Sequence, residues 1–203
     1  MQSYFFFLRL NIKFFFTLLE SFRNELQSLP GYDQAHGPVE TLSKKLTDQA
    51  RRTLPCLRLY STWLLSNAHI VAARVGDETL LQLTGNFWAA YAATLSAMTL
   101  AFPFPELPEV GYQLEEDVDA FGFQPLHSEK TQKLWRTAGS TDSKPKFSDT
   151  GICRVDVDME MLARIRELLF DALLLAVDSV CDTLCQAQNE ADCSRMYPSH
   201  SMA

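Results

Sequence analysis

The stretch "YQLEEDVDAFGFQPL", Tyr112 to Leu126, decides how this chain is read. It lies between long helical patterns, yet it is too irregular for a helix and too aromatic for a linker. Four acids fall within Glu115–Asp119, and two phenylalanines flank Gly122 just ahead of a proline. Carboxylates cannot be buried cheaply, so they face water or basic partners. Phe121, Phe123 and Leu126 would be costly to leave in water. Gly122 permits a tight bend between the two rings, and Pro125 sets an extended exit. The stretch therefore reads as an ordered strap fastened across helices by its aromatics, with Tyr112 and Leu114 fastening its near end.

The helices to be strapped follow from apolar spacing. Phe5, Leu8, Ile12, Phe15, Leu19, Phe22 and Leu26 step by three and four, as one buried helix stripe does. Phe6, Phe14 and Phe16 widen it. This first helix is expected from Ser3 to Leu29, ended by Pro30 and Gly31. A second, from Val39 to Arg74, carries Leu42, Leu46, Ala50, Leu54, Leu57, Leu64, Ala68 and Val71. Pro55 predicts a kink there, or a break with Pro55 in the first turn of a new helix. A third, Asp77 to Ala101, buries Leu80, Thr84, Phe87, Trp88, Tyr91, Leu95 and Met98 and stops at "FPFPELPEVG". A fourth, Asp156 to Asn189, carries Leu162, Ile165, Leu169, Ala172, Leu173, Ala176, Val180 and Leu184.

More than fifty residues separate the third helix from the fourth. A connection that long is usually functional or disordered. Residues 128–137 predict a short helix, 138–151 a flexible insert, and 189–203 a disordered tail. No alternating strand pattern is present. The expected fold is all-α: an array of long antiparallel helical hairpins resembling a tetratricopeptide-type α–α superhelix. It forms one domain over 1–188, with the ordered strap between its third and fourth long helices.

Composition narrows the function. The chain has 203 residues, 47 % apolar, with 14 Phe and a net charge of −7. That charge argues against coating nucleic acid wholesale but not against a local basic patch. The five cysteines are irregularly spaced without a CxxC pair, which suits free thiols better than zinc or a disulfide framework. Arg9, Asn11 and Lys13 interrupt the Phe-rich start, so it reads as a core helix and lacks the pattern of a spanning segment or signal peptide; a membrane anchor is the competing reading.

Lys44, Lys45, Arg51, Arg52 and Arg58 fall on the side of the second helix opposite its apolar stripe, at 100° per residue. Residues 36–75 hold six Lys or Arg against two acids, and 103–127 hold six acids and no Lys or Arg. Three readings compete. The basic side is a solvated face in which Asp48 pairs with Lys44 and Arg52; or the strap's acids dock on it; or it tracks the phosphates of RNA or DNA. Trp63, Trp88 and Tyr91 could stack bases, though their spacing fits core packing. His69 reads as structural. Catalytic residues, metal ligands, cofactor and small-molecule sites are not readable.

"LEEDVDAFGFQPL" resembles the acidic, Gly-Phe, Pro-Leu signature of the telomerase-associated Ever-Shorter-Telomeres family and its SMG-type relatives in nonsense-mediated mRNA decay. "RRTLPCLRLYSTWLLSN" (Arg51 to Asn67) is similar to that family's "LP…R.Y..WL" helix, especially in filamentous fungi. "RIRELLFDALLLA" (Arg164 to Ala176) is similar to its late helix. The resemblance implies the helical-hairpin DNA/RNA-binding part of the family, without the 14-3-3-like part that holds the phosphoserine site and without a nuclease domain. It implies a non-enzymatic scaffold of the nucleus or cytoplasm. Its partners would be RNA, single-stranded DNA, or proteins of mRNA decay and telomerase complexes, with no membrane. A purely protein-binding helical module is the alternative. The Phe-rich start fits a truncated gene model.

Overall fold

The computed structural model describes residues 2–31, 39–72, 78–126 and 144–196. Six α-helices order these segments: α1 Gln2–Gln27, α2 Val39–Ser43, α3 Asp48–Ala72, α4 Glu78–Ala101, α5 Glu115–Asp119 and α6 Val157–Met196. The fold is all-α, a helical array, and no strand occurs among the described residues. The predicted helix at 128–137 lies outside them.

The α1 stripe organises the core. Leu8, Ile12, Phe15, Leu19, Phe22 and Leu26 are all buried. Burying one such side chain contributes about 1.5–3 kcal/mol, so this face alone fixes the helix in place. α1 packs against both α3 and α4, while α6 packs against α3 and, more lightly, α2 and α4. Phe15 is the hinge of that packing. Its ring lies 5.2 Å from Tyr60 of α3 and 5.3 Å from Phe87 of α4.

Phe6 and Phe14 do not widen the stripe. They lie with Phe7 and Leu10 on the opposite face and stay exposed. At 100° per residue, positions 6, 7, 10 and 14 cluster half a turn away from Leu8, Phe15 and Leu19, so one helix cannot bury both groups against the same neighbours.

The second predicted helix is two. The break falls at 44–47, before Pro55 rather than at it, and α3 runs through Pro55. Thr47 causes the restart: its hydroxyl oxygen accepts from the Ala50 N–H at 3.1 Å, a helix N-cap, and its O–H donates to Glu25 at 2.8 Å. Asp48 in the first turn suits the helix dipole. The last helix is assigned to Met196, past the expected end at Asn189. On α6, Leu173 is exposed, and Leu168 and Leu175 take its place in the core.

The strap leaves α4 at the buried Phe102, turns through a 3-10 segment at Phe104–Glu106, and runs along α6 to α5. Arg166 of α6 donates to the Phe104 and Leu107 carbonyls and stacks on the Phe104 ring at 4.6 Å. A second small core forms where Val110, Tyr112 and Leu114 cover Ala163. The chain returns at 144–147 to pair with the strap. Gln113 N–H donates to the Pro145 carbonyl at 2.7 Å and Phe147 N–H to the Gln113 carbonyl at 3.1 Å. The described end of the expected flexible insert is thus hydrogen-bonded in place.

Candidate nucleic-acid interface

The five basic residues singled out in sequence are divided by the fold into different tasks. Arg58 is buried at 4 % exposure, pointing into the strap. It donates to Asp117 Oδ2 at 2.9 Å and to Glu116 Oε1 at 3.2 Å, and its Nη1 lies 2.7 Å from Asp117 Oδ1. Arg51 braces the α2–α3 corner. It donates to the carbonyls of Leu46 and Ser43, at 3.1 and 3.0 Å, and pairs with Asp158 of α6. Lys45 donates to the Ala101 carbonyl at 2.8 Å, capping the C-terminus of α4, and lies over the Phe102 ring. Lys44 and Arg52 are left exposed. The exposed cations of this stripe are therefore Lys44 and Arg52, flanked by the half-buried Lys45 and Arg51. Arg58 is withdrawn from it.

The reason lies in α3 being buried over half its circumference. Ala50, Leu57 and Leu64 mark its apolar centre, while Arg58 and Thr62 mark the buried flank next to it. A residue on that flank reads as a face opposite the stripe only if nothing covers it, and the strap does.

The strap is held by charge where its aromatics were expected to hold it. Arg164 of α6 grips Glu116 bidentately, at 2.9 and 2.8 Å. Glu160, one turn earlier on α6, accepts from the Tyr112 hydroxyl at 2.7 Å and from Arg154 at 2.6 and 2.9 Å. Asp117 also accepts the Leu114 N–H at 3.0 Å, closing the first turn of α5. Arg58, Arg154 and Arg164 thus balance Glu116, Asp117 and Glu160, so the cluster is neutral. Burial pushes the Glu116 carboxyl up, but the Arg164 hydrogen bond and the two arginine charges outweigh it and hold the group below the usual carboxylate range. For Glu160 the Arg154 hydrogen bond wins over burial in the same direction. Burial, with its bond to Glu160, raises the Tyr112 hydroxyl.

Of the predicted strap residues, Leu114 at 2 % and Leu126 at 7 % exposure are buried anchors, but Phe121 and Phe123 are 58 % and 56 % exposed. Gly122 and Pro125 are exposed with them. Neither ring is a buried anchor of the strap: Phe123 lies on its outer turn, and Lys146 Nζ sits over the Phe121 ring, 5.8 Å from its centroid. Gly122 is still required there, because its φ of 78° lies in the left-handed region.

Sequence reading passed over Tyr112's hydroxyl, Arg154, Asp158, Glu160 and Arg164 as site residues. Glu160 and Arg164 lie about half a turn from Leu162, off the apolar stripe by which the helix was read. The signal available was the imbalance between six acids and no cation in residues 103–127, which demands arginines from elsewhere.

His69, Cys56 and Cys153 are exposed, and no cluster of His, Cys, Asp and Glu able to hold a metal occurs among the described residues. No described helix is long and apolar enough to cross a membrane. No curated protein and no solved structure matches the chain. A family model, the Est1 DNA/RNA binding domain, matches residues 1–130. That span holds α1 to α4, the basic stripe and the whole strap, and stops short of α6 with its late-helix block. Matched over well more than half its length, the chain belongs to the Est1 DNA/RNA-binding-domain family.

Proposed function

We propose that the chain is a non-catalytic scaffold that holds RNA or single-stranded DNA, within nonsense-mediated mRNA decay or telomere maintenance. The observation that carries this reading is the match to a nucleic-acid-binding domain across α1–α4 and the strap. Lys44 and Arg52 stay exposed beside a rigid corner, while the neighbouring arginines spend their charge on the frame. A chain of net charge −7 binds phosphate through a small edge of this kind, not through its whole surface. The scaffold would work in the nucleus or cytoplasm.

Anisotropy titrations of labelled 20-nucleotide RNA and DNA strands at several salt concentrations test it. The double variant Lys44→Glu, Arg52→Glu is expected to weaken binding. It should flatten the log–log salt slope by roughly 1.4, about 0.7 for each single-strand phosphate no longer neutralised. Unchanged affinity removes this edge. Absence of binding to either strand at low salt removes the nucleic-acid reading and leaves the second one, a protein-binding helical module. The strap's outward acids, Glu106, Glu109, Glu115 and Asp119, favour that second reading. RNA recovered with the tagged chain from cells separates telomerase RNA from decaying messages.

A further inference from the structure

Between α1, α3 and the outer turn of the strap lies an open cavity of about 600 Å³, within the usual range for ligand sites. α3 contributes Tyr60 and Trp63, the strap contributes Phe123 and Pro125, and Asn11 comes from α1. The Tyr60 and Trp63 rings meet edge to face, centroids 6.3 Å apart at 75°, so together they form a notch and not a flat wall. Phe123 is more than half exposed although a short 3-10 turn at Gln124–Leu126 holds its neighbours. Tyr60 is oriented by its hydroxyl, 3.4 Å from the Asn11 side-chain oxygen, and by the Phe15 ring. Trp63 is only partly buried, and its indole N–H has no hydrogen-bond partner among the described residues.

Charge discriminates among occupants. The lining holds no Lys, Arg or His. Its carboxylates are Glu116, already taken by Arg58 and Arg164, and the exposed Asp119 on the rim. A nucleic acid would find rings to stack on but a carboxylate where its phosphates must lie. A helical ligand is about 10–12 Å wide and uses its carbonyls internally, so it offers nothing to an indole N–H. A polyproline II segment has no internal hydrogen bonds, leaves every carbonyl free, and docks on aromatic-lined grooves.

We infer that this groove binds an extended, proline-containing segment of a partner protein that carries a lysine or arginine beside its proline core. Prolines sit in the notch made by Tyr60, Trp63 and Phe123. The Trp63 indole N–H donates to a main-chain carbonyl of the segment, and Asp119 receives its cation.

The test uses the full chain, immobilised and exposed to an oriented library of 12-residue peptides fixed as Pro-x-x-Pro and degenerate elsewhere. The retained pool should be enriched in Lys or Arg flanking the prolines. Its best member should lose about fivefold affinity or more to Trp63→Phe, which keeps a ring and removes one hydrogen bond. Asp119→Lys, a surface change, should reverse the flanking preference from basic to acidic with helical circular dichroism unchanged. Retention of no peptide, a pool without basic flanks, or affinities unmoved by both variants overturns the inference. So does displacement of the peptide by a single-stranded oligonucleotide. Lys44→Glu, Arg52→Glu should leave peptide binding intact, so failure of this inference and failure of the nucleic-acid reading are told apart.

Discussion

Arg58→Ala would leave Asp117 as a buried carboxylate without its cation. Arg58 is 4 % exposed and meets its carboxylate oxygens at 2.7, 2.9 and 3.2 Å. Removing one partner of a buried pair costs roughly 3–5 kcal/mol. Glu116 keeps its two bonds to Arg164, and Asp117 keeps the Leu114 N–H, so the low end applies, about 3 kcal/mol. The loss falls on docking of the strap before it falls on the helical core. At about 1.4 kcal/mol per factor of ten, undocked molecules become roughly 100-fold more frequent. Native-state hydrogen exchange reads this directly at Leu114, Asp117 and Val118, whose N–H groups bond within α5 and its cap. Those amides should exchange roughly 100-fold faster, while amides in α1 and α4 barely change. The double variant Arg58→Met, Asp117→Asn removes both charges, keeps an acceptor for Leu114, and should restore most of the protection. If the three amides in Arg58→Ala exchanged within about threefold of the wild type, Arg58 would be acting as a solvated surface pair worth under ~1 kcal/mol, and the charge-held strap would be refuted.

Acid should release the strap. The carboxyls of Glu116, Glu160 and Asp158 are all lowered in the fold, so each contributes stability above its ordinary value that is lost as pH falls through the depressed one. Loss of near-ultraviolet dichroism should begin below about pH 4.5, the ordinary glutamate value, and Glu116→Gln should flatten that limb. Gly122→Ala should cost about 1 kcal/mol in urea denaturation because of its φ of 78°, whereas Gly111→Ala, with no positive φ, should be close to neutral. No atom crowds either position, so size cannot explain a difference between them. Phe15→Ala should lose roughly 3–5 kcal/mol by the same measurement, and Phe14→Ala, one position away but 54 % exposed, under about 1 kcal/mol.

The contrast between Phe14 and Phe15 also shows what the sequence could and could not reveal. Period and spacing named the six buried residues described on α1, because a helix that meets its neighbours on one side must repeat every three to four residues. The same reasoning is silent on Arg164, since periodicity knows of one core and α6 has a second covered side. It read Pro55 as the discontinuity because proline removes a backbone donor, yet the local hydrogen bond from Ala50 to Thr47 placed the restart earlier. The strap's existence was legible in its composition. Its mode of attachment was not, because ion pairs such as Arg58 with Asp117 span 59 residues and leave no local trace. For the same reason the five-residue basic stripe looked uniform, although the fold gives Lys45, Arg51 and Arg58 separate structural partners.

The balanced charge cluster under the strap constrains how this protein can drift over generations. Any single neutral or opposite-signed replacement among its six members strands a charge, so the first step of every exchange is unfavourable. Lineages should therefore swap these positions in compensating pairs, or all together for apolar side chains.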